Sequence, residues 1–227
     1  MTPARSPITL ALAASLSLLL AAGAAEAAPQ AGALTGQIRV KKDGKLKSSH
    51  ERVVVYLEGV RGYSVRPGKT HEIRQRNQQF TPSVSVVTKG TRVAFPNDDR
   101  IFHNVFSTSR PARFDLGLYQ SGTSKSVEFR RKGVVDVFCN IHPNMIARVL
   151  VVDTPFYDET DARGRFQIPG IPPGTYTAVI WQAYGPEVRR TITIEPGKVA
   201  TLEAEVEEGE RPRQHRRKDG TPYGRYE

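Results

Sequence analysis

The stretch 133-GVVDVFCNIHPNMIARVLVV-152 contains two apolar, β-branched runs separated by a polar segment, and that polar segment carries Cys139, His142 and Met145 at three-residue steps. "GVVDVFC" and "IARVLVV" have the length and composition of β-strands. Cys139 thus closes one strand and Met145 stands just before the next, so the short loop between them brings a thiolate, an imidazole and a thioether toward one point. The sequence holds one cysteine, and Met145 is its single methionine beyond Met1.

The same two-residue periodicity runs outward in both directions. "GQIRV", "RVVVYLEGV", "SVSVV", "TRVAF", "HNVFS" and "KSVEF" precede the loop, and "YTAVIW", "RRTITI" and "VATLEAEV" follow it. Gly, Pro, Asp and Asn separate these runs, and no sustained 3.6-residue pattern competes with them. The expected class is all-β, built as sandwiches. Turn chemistry agrees: Asp43 and Gly44 in "KKDGK" suit a tight hairpin, Gly164 in "TDARGRF" precedes a strand, and Pro172, Pro173 and Gly174 form a stiff corner.

The N-terminus has Arg5, an apolar run from about Ile8 to Ala22, and small residues ending in Ala25, Glu26 and Ala27. This is the layout of a secretory signal peptide over residues 1–27, cut after Ala27. The apolar run is shorter than the roughly 20 residues of a membrane span, so export to the periplasm or outside is expected, with no transmembrane anchor. In an oxidising compartment a lone thiol is a liability unless buried or bound, which sharpens the question of Cys139. The net charge is +10. Export argues against nucleic acid as the partner and leaves acidic redox proteins, or peripheral contact with an anionic surface, as the classes that the charge suits.

Soft thiolate and thioether ligands favour monovalent copper, and imidazole serves both copper oxidation states. The loop encloses one side of an ion, and "FPNDDRIFHNVFS" supplies a further donor in His103, 36 residues before Cys139. Two His, one Cys and a weak axial Met form the ligand set of a blue-copper electron-transfer site.

With those residues in view, residues 70–153 resemble a cupredoxin. "FHNVF" is similar to the first-histidine motif of plastocyanin-type members, "FCNIHPNM" to the C-x₂-H-x₂-M loop of amicyanin-like members, and "FTPSVSVVTKGTRVAFPN" to the early strands of such domains. The resemblance implies a Greek-key β-sandwich with one type 1 copper, His103, Cys139 and His142 as equatorial ligands and Met145 as the axial one. It also implies that Asn104 ties the ligand loop to the neighbouring strand, that Phe138 and Pro143 keep water from the metal, and that electrons pass through a solvent-near His142 within an apolar patch including Ile141 and Pro143.

A second resemblance covers "YDETDARGRFQIPGIPPGTYTAVIWQAYGPEVRRTITIEPGKVATLEAEV", which is similar to the carboxypeptidase regulatory-like domain, a small prealbumin-type sandwich. That family's opening strands have counterparts far upstream, in "LTGQIRVKKDGK" and "RVVVYLEGV". Residues 34–66 and 154–206 are therefore expected to form one discontinuous domain with the cupredoxin unit inserted, and the pairing of Val53 to Leu57 decides it. The charged stretch 207–227 has few apolar residues and is expected to be disordered.

Other candidates carry less chemistry. Asp98 and Asp99 read as a solvated turn, and His50, His71 and His215 lie in polar surroundings without ligand spacing. No nucleophile elbow, phosphate-cradling loop or zinc motif is present. The expected function is an exported single-electron carrier and not an enzyme. The alternatives are a copper storage or delivery protein with the same ligands, and a surface-binding sandwich protein with a vestigial site.

Overall fold

The structure, a computed structural model, describes residues 30–224; the expected signal peptide, residues 1–27, lies outside the described residues. Those residues are all-β, and among them no helix long and apolar enough to cross a membrane occurs.

Strand pairing interleaves the chain. Gly32–Lys42 lies between Arg165–Ile171, antiparallel, and Val199–Glu207, parallel. Val53–Glu58 pairs with Tyr157–Glu159 and with Gly174–Gln182, which in turn pairs with Val188–Ile194. The two sheets built by residues 32–58 and 157–207 enclose a core of Leu34, Ile38, Leu57, Ile168, Ile180 and their neighbours. The turn residues act as their chemistry requires. Asp43 and Gly44 both take positive φ, the geometry of a hairpin whose flanks pair Lys42 with Lys45. Gly164, at φ +79°, lies so close to the Gly32–Lys42 strand that an added Cβ would come within 2.0 Å of the Ile38 carbonyl oxygen.

The intervening residues build a second unit. A five-stranded sheet runs Phe114–Tyr119, His103–Ser107, Gly133–Cys139, His142–Val152, Val84–Thr88, and a three-stranded sheet of Ser124–Glu128, Arg92–Pro96 and His71–Glu72 accompanies it. Phe95, Phe129, Val105, Val137 and Val149 fill the core, and Cys139 and Met145 belong to that same core.

A third cluster joins the units: Val54, Trp181 and Ala183 from one pack with Leu150 and Val152 of the other. This explains the continuous apolar runs. Val53, Val55 and Leu57 face the outer core while Val54 faces the junction, and Ala147, Val149 and Val151 face the core of the second unit while Leu150 and Val152 face the junction. Strands covered on both faces lose the polar alternation of a half-solvated strand.

Past Glu207 the described residues of the charged C-terminal stretch form no strand, and they lie against the second unit through side-chain and backbone hydrogen bonds. Composition counts apolar residues; it does not register the few aromatic and hydrogen-bonding anchors that hold this segment.

Candidate metal centre

His103 opens the His103–Ser107 strand, all five of whose residues are buried. Cys139 closes Gly133–Cys139, and Phe138 pairs antiparallel with Phe106, so Cys139 falls alongside the strand that His103 opens. The strand after the loop begins earlier than the apolar run implies, at His142: Phe138 pairs with Ile146 but Cys139 with His142. This bulge puts three extra residues, 143–145, on one side, and re-aims side chains as bulges beside functional sites do.

The three donors converge. His103 Nδ1 is 3.1 Å from His142 Nδ1 and 3.8 Å from Cys139 Sγ, and Cys139 Sγ is 3.6 Å from His142 Nδ1. The point equidistant from these atoms lies about 2.0 Å from each, against metal–nitrogen and metal–sulfur bonds of ~2.0–2.1 and ~2.3 Å in a comparable zinc site. Two histidines and a cysteine thus place their donor atoms within 4.8 Å of one another among the described residues. His103, Cys139 and Met145 are 0% exposed, and His142 is half-buried.

The surroundings suit a cation. Burial pushes the Cys139 thiol up, while the backbone N–H groups of Asn104, Ile141 and His142 oppose that by donating to sulfur. Such donors favour a thiolate, whose charge needs a counter-ion in an interior this dry. Burial and the neighbouring His103 lower the His142 pKa, with Asp99 opposing, which keeps its imidazole neutral and its lone pair free. His103 Nε2 donates to Asp99 Oδ2 at 2.8 Å, fixing the tautomer whose unprotonated Nδ1 faces the other donors.

Solved structures similar to this chain include a cupredoxin and two copper proteins. A purple cupredoxin from Nitrosopumilus maritimus is 22% identical, with 36% of this chain and 99% of that one covered and a TM-score of 0.33. An amicyanin variant in its Cu(I) form is 18% identical over 43% of this chain and 98% of that one, TM-score 0.34. A copper-containing nitrite reductase from Thermus scotoductus is 21% identical over 43% of this chain and 25% of that one, TM-score 0.36. Residues 153–202 match the family model of polysaccharide lyase family 4, domain II, a different family from the one that this segment's phrases resemble. No curated protein matches the chain. The case for a metal rests on the donor atoms themselves.

Around the donors, Asn104 Oδ1 accepts from Asn140 N at 3.2 Å and its Nδ2 donates to Asp115 Oδ1 at 2.7 Å, which ties the loop to the strands beside it. Phe138 is half-buried, and the Pro143 carbonyl accepts from His215 N at 3.0 Å. Two residues read as bystanders lie at the site. Asp98 pairs with Arg74 as a turn residue would. Asp99, however, is 12% exposed and bonded to His103, and buried Asn97 shapes the turn between them by donating to the Ile101 and Tyr119 carbonyls. The Asp-x₃-His spacing was the available signal. His215 stacks on Phe138, ring centroids 4.5 Å apart, and its Nε2 is 3.2 Å from the His142 carbonyl. Nothing in its local sequence indicates this position. His50 and His71 lie elsewhere, accepting from Val40 N and bonded to Ser85 Oγ respectively.

Proposed function

We propose that the protein is an exported type 1 copper protein that carries single electrons between redox partners. The observation that carries this reading is the buried convergence of two Nδ1 atoms and one Sγ within 3.8 Å, with three N–H groups already aimed at the sulfur. His103, Cys139 and His142 would hold the ion, and fully buried Met145 would offer it a weak thioether donor. Copper bound there supplies one-electron redox chemistry that a thiolate and two imidazoles accommodate in both oxidation states.

The chain's own part is to hold these donors still. Asp99 fixes the His103 ring, Asn104 pins the loop at Asn140, the His103–Ser107 strand is buried throughout, and Gly133–Cys139 buries the alternate side chains that end in Cys139, so the donor triangle resists rearrangement when charge changes. With the Met145 thioether as a fourth donor no open position would be left for a substrate, which would favour a carrier over a catalyst. His142 is the ligand nearest solvent and so the edge through which electrons would leave. Exposed Arg213, Arg216 and Lys218 lie on the segment covering that edge, a charge that fits an acidic redox partner. Periplasmic residence belongs to the same reading.

Adding cupric ion to the purified protein is expected to produce intense visible thiolate-to-copper absorption. Absence of that band, or its persistence in Cys139→Ala, overturns the proposal. Reversible one-electron voltammetry with slow loss of copper separates a carrier from a storage or delivery protein, which would give up the ion readily to a chelator.

A further inference from the structure

The C-terminal segment beyond the last strand returns to the ligand loop and contacts almost every residue of it. Tyr223 Oη donates to the Cys139 carbonyl at 2.9 Å, Lys218 N donates to Asn140 Oδ1 at 2.9 Å, His215 Nε2 is 3.2 Å from the His142 carbonyl, and His215 N donates to the Pro143 carbonyl at 3.0 Å. Farther along, Arg211 Nη2 donates to the Ile146 carbonyl at 3.0 Å. The His215 ring lies over Phe138, which is itself against Phe106, and Tyr223 meets His215 edge-on at 5.4 Å. Lys218 Nζ reaches Asp115 Oδ2 at 2.6 Å, and Asp115 holds Asn104, which holds Asn140. The loop is therefore gripped from outside by the segment and from inside by the strands.

We infer that residues 211–223 are a strap that locks the 139–143 loop in its metal-holding conformation, with His215 and Tyr223 as positioning residues that set how fast the loop opens and lets an ion go. The inference rests on the copper reading of the same site, but the strap's mechanical part does not need the ion. A short turn at Asn140 and Ile141 flanked by three carbonyls exposed to water would open often; the strap replaces that water with fixed donors, each of which must be released before the loop can swing away. Partners that orient ligands from outside the donor set are worth 10–100-fold in metal affinity where they have been removed. The strap acts through the backbone carbonyls of Cys139 and His142, so its removal falls on the same ligands.

The test uses the full chain, a truncation ending at Glu210, and His215→Ala. In metal-free protein, amide hydrogen exchange is followed at residues 140–142, whose N–H groups bond to Asn104 Oδ1 or to the Cys139 sulfur. In copper-loaded protein, transfer of copper to an excess of chelator is timed. Exchange at 140–142 about tenfold faster in both variants, with exchange in the Val53–Glu58 strand unchanged, establishes the strap; copper transfer faster by a similar factor extends it to the metal. Unchanged exchange at 140–142 overturns it. Exchange that rises equally in Val53–Glu58 also overturns it, because the segment is then a general staple of the fold. If exchange rises but the full chain never takes up copper, the strap stands and the copper reading falls.

Discussion

Asp99→Asn keeps the shape of the side chain that faces His103 and removes its charge. The charge is present at neutral pH: burial opposes it, but the N–H groups of Gln78, His103 and Asn77 outweigh burial and hold the carboxyl below its usual range. Oδ2 accepts from His103 Nε2 at 2.8 Å, and with the imidazole interposed it stands about 7 Å from the centre of the donor triangle; at an effective dielectric of ~20 a unit charge there is worth about 2 kcal/mol per unit of charge at the centre. The more oxidised ion carries one more positive charge, so losing the carboxylate disfavours the cupric form and raises the potential. For one electron, that energy corresponds to about 100 mV, a ceiling because Asp99 is 12% exposed and the turn can relax. Asparagine also has a single acceptor oxygen, so if that oxygen keeps His103 and Gln78, its amide faces the Asn77 N–H and one donor is left unpaired, at about 1–3 kcal/mol of stability. Spectroelectrochemical titration of Asp99→Asn against the unaltered protein reads the potential, and a cuprous–cupric competition assay reads affinity, expected to fall about 10-fold or more. A folded, copper-loaded variant whose potential is unchanged or lower would refute the placing of Asp99 behind His103.

Other perturbations test separate parts of the molecule. Leu150→Ala, at a junction residue 3% exposed, is expected to cost about 2–5 kcal/mol in urea unfolding and to loosen the two units from each other; a loss below about 1 kcal/mol would mean that the junction is not a packed core. Gly164→Ala must fit a Cβ within 2.0 Å of the Ile38 oxygen at φ +79°, so melting should show a loss greater than about 1 kcal/mol. Asp115 has its pKa lowered: burial raises it, but Lys218, the Gly117 N–H and Asn104 together pull it below the ordinary value of 3.8. A depressed carboxyl stabilises the fold above its unfolded-state pKa and loses that contribution as pH falls through the folded value. Protection of the 140–142 amides, corrected for intrinsic exchange, should therefore hold from neutral pH down to about 4 and decline below it, and Asp115→Asn should flatten that part of the profile.

What the sequence made legible follows from where each signal is stored. Gly133–Cys139 and His103–Ser107 are bounded as their composition indicates, because their runs end at a turn or a polar loop. The strand Phe114–Tyr119 escaped notice. Its Gly117 takes φ +66°, its pairing with His103–Ser107 slips between Asp115 and Leu118, and Leu118 is 58% exposed, so neither alternation nor burial marks it. The short polar strands His71–Glu72 and Arg74–Arg76 are defined by their partners and have no pattern of their own. The donors were legible because Cys, Met and His are rare and their spacing is a local property. The groups that orient them were less so: Asp99 is close in sequence but was masked by Asp98 beside it, and His215 reaches His142 across 73 residues of chain. A hydrogen bond to a ligand's backbone carbonyl places almost no demand on neighbouring sequence, so composition cannot announce it.

The interleaved chain has a mechanical consequence for the site. The His142–Val152 strand carries a donor at its first residue and Met145 close behind. One of its faces lies in the core with Cys139, and the other is held by Val54 and Trp181. The strap does not start from the metal unit: it leaves from Val199–Glu207, a strand of the outer sheets, where Glu208 N donates to the Lys41 carbonyl and the Glu208 carboxylate pairs with Lys47. The outer unit thus supplies both the back support of the ligand strand and the anchored base from which the strap reaches the loop. Had the strap been an extension of the metal unit's own last strand, opening of that strand would release loop and strap together. Anchoring it on the outer sheets requires two separate events for the same opening, and the donor triangle is held by contacts that do not fail at once.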